Sequence, residues 1–224
     1  MKLIDYKGLR AMHPHVGVAI IQRLGYDEQG RRLKIDGIEG PLTRGAIYVD
    51  PTSVEDPIVL AAMGELLLGA QEHGGNNKGP RVETYQRGRA DELAGWMRGA
   101  WCASFASWCL MTAHGEDTPY IRGARRLGAE VARRSPMGKL KGHELEEGDL
   151  IIWDRDGPDE GTDPSDDWHG HIGVVVGRVG GYLWTIEGNA AAKRGAVRVY
   201  RFPEDDLDRG PGGPFLFGAR WHGG

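Results

Sequence analysis

Residues 102 to 113 read Cys-Ala-Ser-Phe-Ala-Ser-Trp-Cys-Leu-Met-Thr-Ala, with no glycine, proline or charge among them. Their bulky side chains are apolar almost all round, and a helix without a polar face must be enclosed by the rest of the chain. Gly99 marks the loop ahead of it, so Cys102 falls in the first helical turn. Unpaired backbone N–H groups and the positive end of the helix dipole favour an anion there. A thiolate in that place is stabilised, and thiolate is the nucleophilic form of cysteine. The same amides can hold an oxyanion formed at a nearby carbonyl. Core filling is the plainer role for a lone cysteine, and Cys109, well inside the helix, is assigned it. Seven residues at about 1.5 Å each span roughly 10 Å, whereas a disulfide needs Cα atoms within about 7 Å. The two thiols are therefore expected to be free.

A chain of 224 residues, 40% hydrophobic and 27% charged, has the makings of a soluble globular protein with one large domain or two small ones. Its net charge of −4 argues against nucleic acid as a partner. The longest early apolar run, Val16 to Ile21, is interrupted by Gly17 and is too short for a secretory signal. Neither membrane insertion nor a signal peptide is expected. The protein is expected to be made in the cytoplasm and to need release or delivery by a partner to act outside it.

Residues 1–52 read as a small all-α unit. Val16, Val18, Ile20, Ile21 and Leu24 give one apolar helical face, closed by Gly25. Asp36-Gly37 signals a turn, and Gly40-Pro41 places proline at the first position of a helix. The pair of motifs Ile20-Ile21-Gln22-Arg23-Leu24 and Asp36-Gly37-Ile38-Glu39-Gly40-Pro41-Leu42-Thr43-Arg44 resembles the three-helix peptidoglycan-binding module. The competing reading is a helical cap that packs on the main domain. Residues 50–53 read as a linker.

Residues 57–72 and a segment holding Val82 and Tyr85 carry helical patterns, separated by the Gly-rich loop 72–80. Asn77 in that loop is a candidate hydrogen-bond donor beside the cysteine. Residues 120–134 read as an amphipathic helix with Ile121, Leu127 and Val131 inward and Arg122, Arg125, Arg126, Arg133 and Arg134 outward. Solvation is the commoner reason for such a basic face, and docking of an anionic polymer the rarer one.

From residue 147 the period changes to two. Strands are expected over 148–153, 171–178, 182–187, 196–202 and 215–221, joined by glycine turns into an antiparallel sheet. The acidic loop 154–169 lacks the spacing of a calcium loop because Pro158 interrupts it, and no metal is assigned.

A hairpin centred on Val179 pairs Ile172 with Ile186, Val174 with Trp184 and Val176 with Tyr182 on one apolar face. The same register sets His171 opposite Glu187, with Asn189 on the Glu187 side if the chain stays extended. An imidazole against a carboxylate supplies the base and the orienting group that a cysteine nucleophile needs. His169 is the competing histidine, and a buried structural His–Glu contact the competing explanation of the pair.

Four pieces in this order resemble the CHAP family, the cysteine, histidine-dependent amidohydrolases/peptidases of papain-like fold: Gly75-Asn76-Asn77-x-Gly79-Pro80, Trp101-Cys102-Ala103, Gly170-His171-Ile172-Gly173-Val174-Val175, and Ile186-Glu187-Gly188-Asn189. The resemblance implies an α+β domain over 57–224, with helices packed on an antiparallel sheet. It implies Cys102 as nucleophile, His171 as base, Glu187 and Asn189 as polar partners, and Asn77 and Trp101 as substrate contacts. The activity it implies is cleavage of an amide in peptidoglycan, between sugar and stem peptide or within the peptide, without a cofactor. Ala103 to Trp108 carries none of the acidic calcium ligands of some phage members, so calcium dependence of that kind is not implied. With the N-terminal unit, the chain looks like a phage endolysin, its release partner a holin or the phage particle. Two other readings stand beside this one: a small-amide amidase of the glutathionylspermidine amidase type, and a non-catalytic wall-binding protein.

Overall fold

The computed structural model describes residues 1–27, 31–155, 170–190, 194–210 and 213–222. It begins with a strand, β1 (Lys2–Asp5), and α1 (Tyr6–Met12), whose first turn is capped by the Asp5 carboxylate accepting from the Gly8 amide. Then come α2 (Val18–Arg23), β2 (Gly25–Tyr26), α3 (Pro41–Gly45) and β3 (Ile47–Asp50). Proline opens α3, as its missing N–H allows. The Gln22 side chain explains the spacing of the two motifs around it. Its amide nitrogen donates to Asp36, Thr43 and the Ile38 carbonyl, and its oxygen accepts from the Asp36 and Gly37 amides. One buried glutamine thus fixes the shape of the 36–43 loop.

The N-terminal unit is not all-α. β1 pairs along its whole length with β3, and β2 lies on the other side of β3, in the antiparallel order β1-β3-β2. Ile47-Tyr48-Val49 is a β-branched and aromatic run that pairs readily, and its partner is the chain start, which helical periodicity does not reveal. Residues 50–53 form a fixed turn. The Asp50 carboxylate accepts from the Thr52 amide, and Ser53 Oγ accepts from the Lys2 amide.

Next come α4 (Pro57–Leu68), α5 (Pro80–Arg87), α6 (Cys102–His114) and α7 (Ala124–Arg134), then β4 (Lys139–Leu140), β5 (Leu150–Asp154), β6 (Gly170–Val179), β7 (Tyr182–Ala190), β8 (Ala196–Pro203) and β9 (Phe215–Ala219). The six strands form one antiparallel sheet in the order β4-β9-β5-β6-β7-β8. Helices α4, α6 and α7 pack on it, so the charge-free helix α6 is enclosed as its composition requires. Ile152, Ile172, Val174, Trp184 and Ile186 join the helices' core. Alternate residues Ile151, Trp153, Val175 and Leu183 form a second core with Leu145, Phe202 and Leu207. The α+β class stands.

Arg125 departs from the outward-facing set: it is buried and paired with Asp154. Burying a guanidinium is tolerable only with such a partner. Among the described residues no helix is long and apolar enough to cross a membrane.

Candidate active site

Cys102 opens α6 and is 4% exposed. No side chain caps this helix, so its first amides stay available to an anion. Two buried groups on other elements fix the approach to it. Gln86 of α5 donates from Nε2 to the Gly99 carbonyl at 2.8 Å. Glu72, just after α4, accepts the Trp101 indole N–H at 3.1 Å, the Asn77 amide at 2.9 Å and the Gly195 amide at 3.0 Å. One carboxylate therefore ties the Gly-rich loop, the residue before the cysteine and the turn after β7. Sequence reasoning missed it: within Gln71-Glu72-His73 nothing marks this glutamate as buried.

Trp101 is fully buried and stacks on Tyr85 with ring centroids 5.6 Å apart. Its side chain cannot touch a substrate, so the contact expected of it is corrected to a packing role. Asn77 sits in the left-handed region, φ 57°, half-buried, with its backbone on Glu72.

His171, near the start of β6, and Glu187, on β7, meet through His171 Nε2 and Glu187 Oε2 at 2.9 Å. The other Glu187 oxygen accepts from Thr185 Oγ1 at 2.7 Å. The three side chains are fully enclosed. The register behind this contact differs from the expected one. The hairpin turns at Gly180 and Gly181, both with positive φ, and Val174 faces Ile186 while Val175 faces Thr185. The pairing has slipped by two residues near the site, which leaves each side chain on its own face. Gly173 therefore lies beside Glu187, and a Cβ on Gly173 would stand 2.8 Å from Glu187 Cγ. The missing side chain lets Glu187 lean across to His171.

Asn189 does not join the pair. The β7–β8 register shifts between Glu187 and Ala190, and Asn189 takes φ 56°. Its side-chain oxygen lies against Gly195, and among the described residues it makes no hydrogen bond to His171. The expected partnership presumed an extended chain, and the bulge breaks it. Gly188, within that irregularity, is where β7 meets α6: a Cβ there would be 2.6 Å from Phe105 Cβ. His169 and the acidic stretch 156–169 lie outside the described residues, as does any metal role for them.

Electrostatics couple Cys102 to His171. Burial acts to raise the Cys102 thiol, but hydrogen bonding and charge from His171, the Arg155 charge and the Ala103 amide outweigh it and hold the thiol below its ordinary range. Burial acts to lower His171, but Cys102 and Glu187 outweigh it and push the imidazole up to about 9. Both shifts favour a thiolate–imidazolium pair. His171 Nδ1 has no conventional hydrogen-bond partner among the described residues, which leaves it for the thiol and for a reacting group. Burial raises Cys109 well above the ordinary thiol range, as befits a core residue. A cleft of about 350 Å³ opens beside Cys102, with Trp96 and Arg98 on one wall and Arg122 and Arg126 on the other. A thiol, an imidazole and a carboxylate in this order next to an open cleft are the groups that acyl transfer needs.

No curated protein and no solved structure matches the chain. The family model of the CHAP domain matches residues 94–189, so the chain contains a segment similar to that domain, and this segment holds Cys102, His171 and Glu187.

Proposed function

We propose that the protein is a cysteine-dependent peptidoglycan hydrolase that cuts an amide through a Cys102 thioester. The carrying observation is the buried series Thr185–Glu187–His171 beside a cysteine whose thiol is held low at an uncapped helix start. The Cys102 thiolate attacks the scissile carbonyl carbon, and the oxyanion is held by amides of the first turn of α6. His171, protonated, gives its proton to the leaving nitrogen as the C–N bond breaks, leaving a thioester. Water, deprotonated by His171, then attacks the thioester, the C–S bond breaks, and thiolate and a carboxylic acid product are released. Glu187 holds the ring in position and stabilises the imidazolium.

The N-terminal unit is assigned wall binding on its likeness to the peptidoglycan-binding module. A lysin role, with synthesis in the host cytoplasm and delivery by a holin or the phage particle, belongs to the same proposal. The test is digestion of purified sacculi by wild type and Cys102→Ala, with products read by mass spectrometry. Release of stem peptides or cross-bridge fragments by wild type alone supports the reading, and the masses name the bond. Absence of products from every wall preparation would sink it.

A further inference from the structure

The cleft beside Cys102 lies between residues 96–100 and the segment leading into α7. Among the described residues, every charged side chain lining it is an arginine: Arg98, Arg122, Arg126 and Arg155. The chain as a whole carries a net charge of −4, so this wall runs against the overall balance. Arg98 is paired with Glu83 at the rim. Arg122 donates to the Gln86 and Arg87 carbonyls, makes no ion pair with a described residue, and lies 5.2 Å from the centre of the exposed Trp96 ring. Arg126 and Arg155 are exposed and make no ion pair with a described residue. Like charges gathered in a concave wall repel one another and focus a positive potential into the cleft. Guanidinium groups also present the planar fork that fits a carboxylate.

We propose that this cleft selects peptides carrying a free carboxylate next to the amide presented to Cys102, with Arg126 and Arg155 as its ligands and Arg122 adding to the field. The inference rests on the amide-hydrolase reading and names its substrate class: an anionic stem peptide, as opposed to one whose carboxylate is amidated. A Gly-rich lining or a cleft of mixed charge would offer no such choice. Among the described residues the charge is of one sign, and it stands next to Cys102.

Two synthetic stem peptides, identical except for a carboxylate or a carboxamide, test this. Their binding to the Cys102→Ala protein is measured by calorimetry at low and high salt. The carboxylate peptide is expected to bind roughly ten-fold tighter, with the advantage shrinking in salt. Arg126→Gln and Arg155→Gln, each added to Cys102→Ala, should each cut that ratio, and both together should bring it close to one. Both side chains are exposed, and a melting curve verifies that each variant is folded. Equal binding of the two peptides overturns the proposal whether or not the wild type cleaves them. Charge-selective binding with no cleavage of either peptide or of sacculi supports the selection and removes the hydrolase reading instead.

Discussion

Glu187 reaches His171 from a strand position beside Gly173, not from directly across the ladder. The contact is a diagonal one, and it exists because Gly173 has no side chain to block it. Gly173→Ala should therefore damage the site more than the fold. Overpacking of this kind costs about 1–3 kcal/mol, seen as a modest fall in melting temperature. The fall in kcat should be much steeper, because the carboxylate is displaced from the imidazole. A variant with full activity would show that the diagonal contact is dispensable.

Replacing Glu187 with glutamine keeps the shape and removes the charge. We expect kcat to fall by about 10²- to 10⁴-fold. The pH profile separates this from a structural loss. In the wild type, activity should rise as the Cys102 thiol ionises, below the ordinary thiol range, and fall as His171 loses its proton at about 9. Without the carboxylate the alkaline limb should move to lower pH. Stability carries the same signature. The His171 value is raised above the ordinary 6.5, so its contribution is complete below that value and is lost as pH rises through about 9. Melting temperatures across that window should decline in wild type and stay flatter in Glu187→Gln.

The two cysteines should differ sharply towards iodoacetamide. Near neutral pH the native protein should take one label, at Cys102, because its thiol is held low while that of Cys109 is raised by burial. His171→Ala should slow the labelling by removing the imidazolium. Peptide mapping by mass spectrometry reads both results, and equal slow labelling of the two thiols would count against an activated nucleophile.

Glu72 is not among the residues lining the cleft beside Cys102, yet Glu72→Ala would leave the Trp101, Asn77 and Gly195 N–H groups without their acceptor. Each stranded buried donor costs about 1–3 kcal/mol, so a drop in melting temperature is expected. Glu72→Gln should do less harm, since one oxygen still accepts. In both, Cys102 alkylation should slow, because the residue before the cysteine loses its anchor; unchanged labelling would show that Trp101 is held by packing alone.

Periodicity made the elements of the main domain legible. The apolar run 102–113 became α6, and the two-residue period after 147 became the sheet, with boundaries off by a few residues. His171 against Glu187 was legible because a slip of two leaves every side chain on its face. The register itself was not, since only the backbone at Gly180 and Gly181 decides where the hairpin turns. Thr185 could have been found, two positions before Glu187 on the same face. Asn189 was misplaced because a bulge leaves no mark in the composition. Glu72 and Gln86 act across long sequence separations, and their burial comes from packing that a one-dimensional pattern does not carry. The strand pairing of Lys2–Asp5 with Ile47–Asp50 was lost for the same reason.

The N-terminal unit and the sheet share one interior. The Tyr26 hydroxyl donates to the Val199 carbonyl at 2.7 Å, its ring meets Trp184 edge-on, and Arg23 donates to the Leu67 carbonyl at 3.0 Å. Residues from both segments fill a single hydrophobic cluster. A unit joined in this way is not a cassette that can be cut off or traded for another: its loss would bare the Trp184 side of the sheet to water. Any exchange of this segment would have to carry Tyr26, Arg23 and their seats along with it, so the N-terminal unit and the domain that holds Cys102 are inherited together.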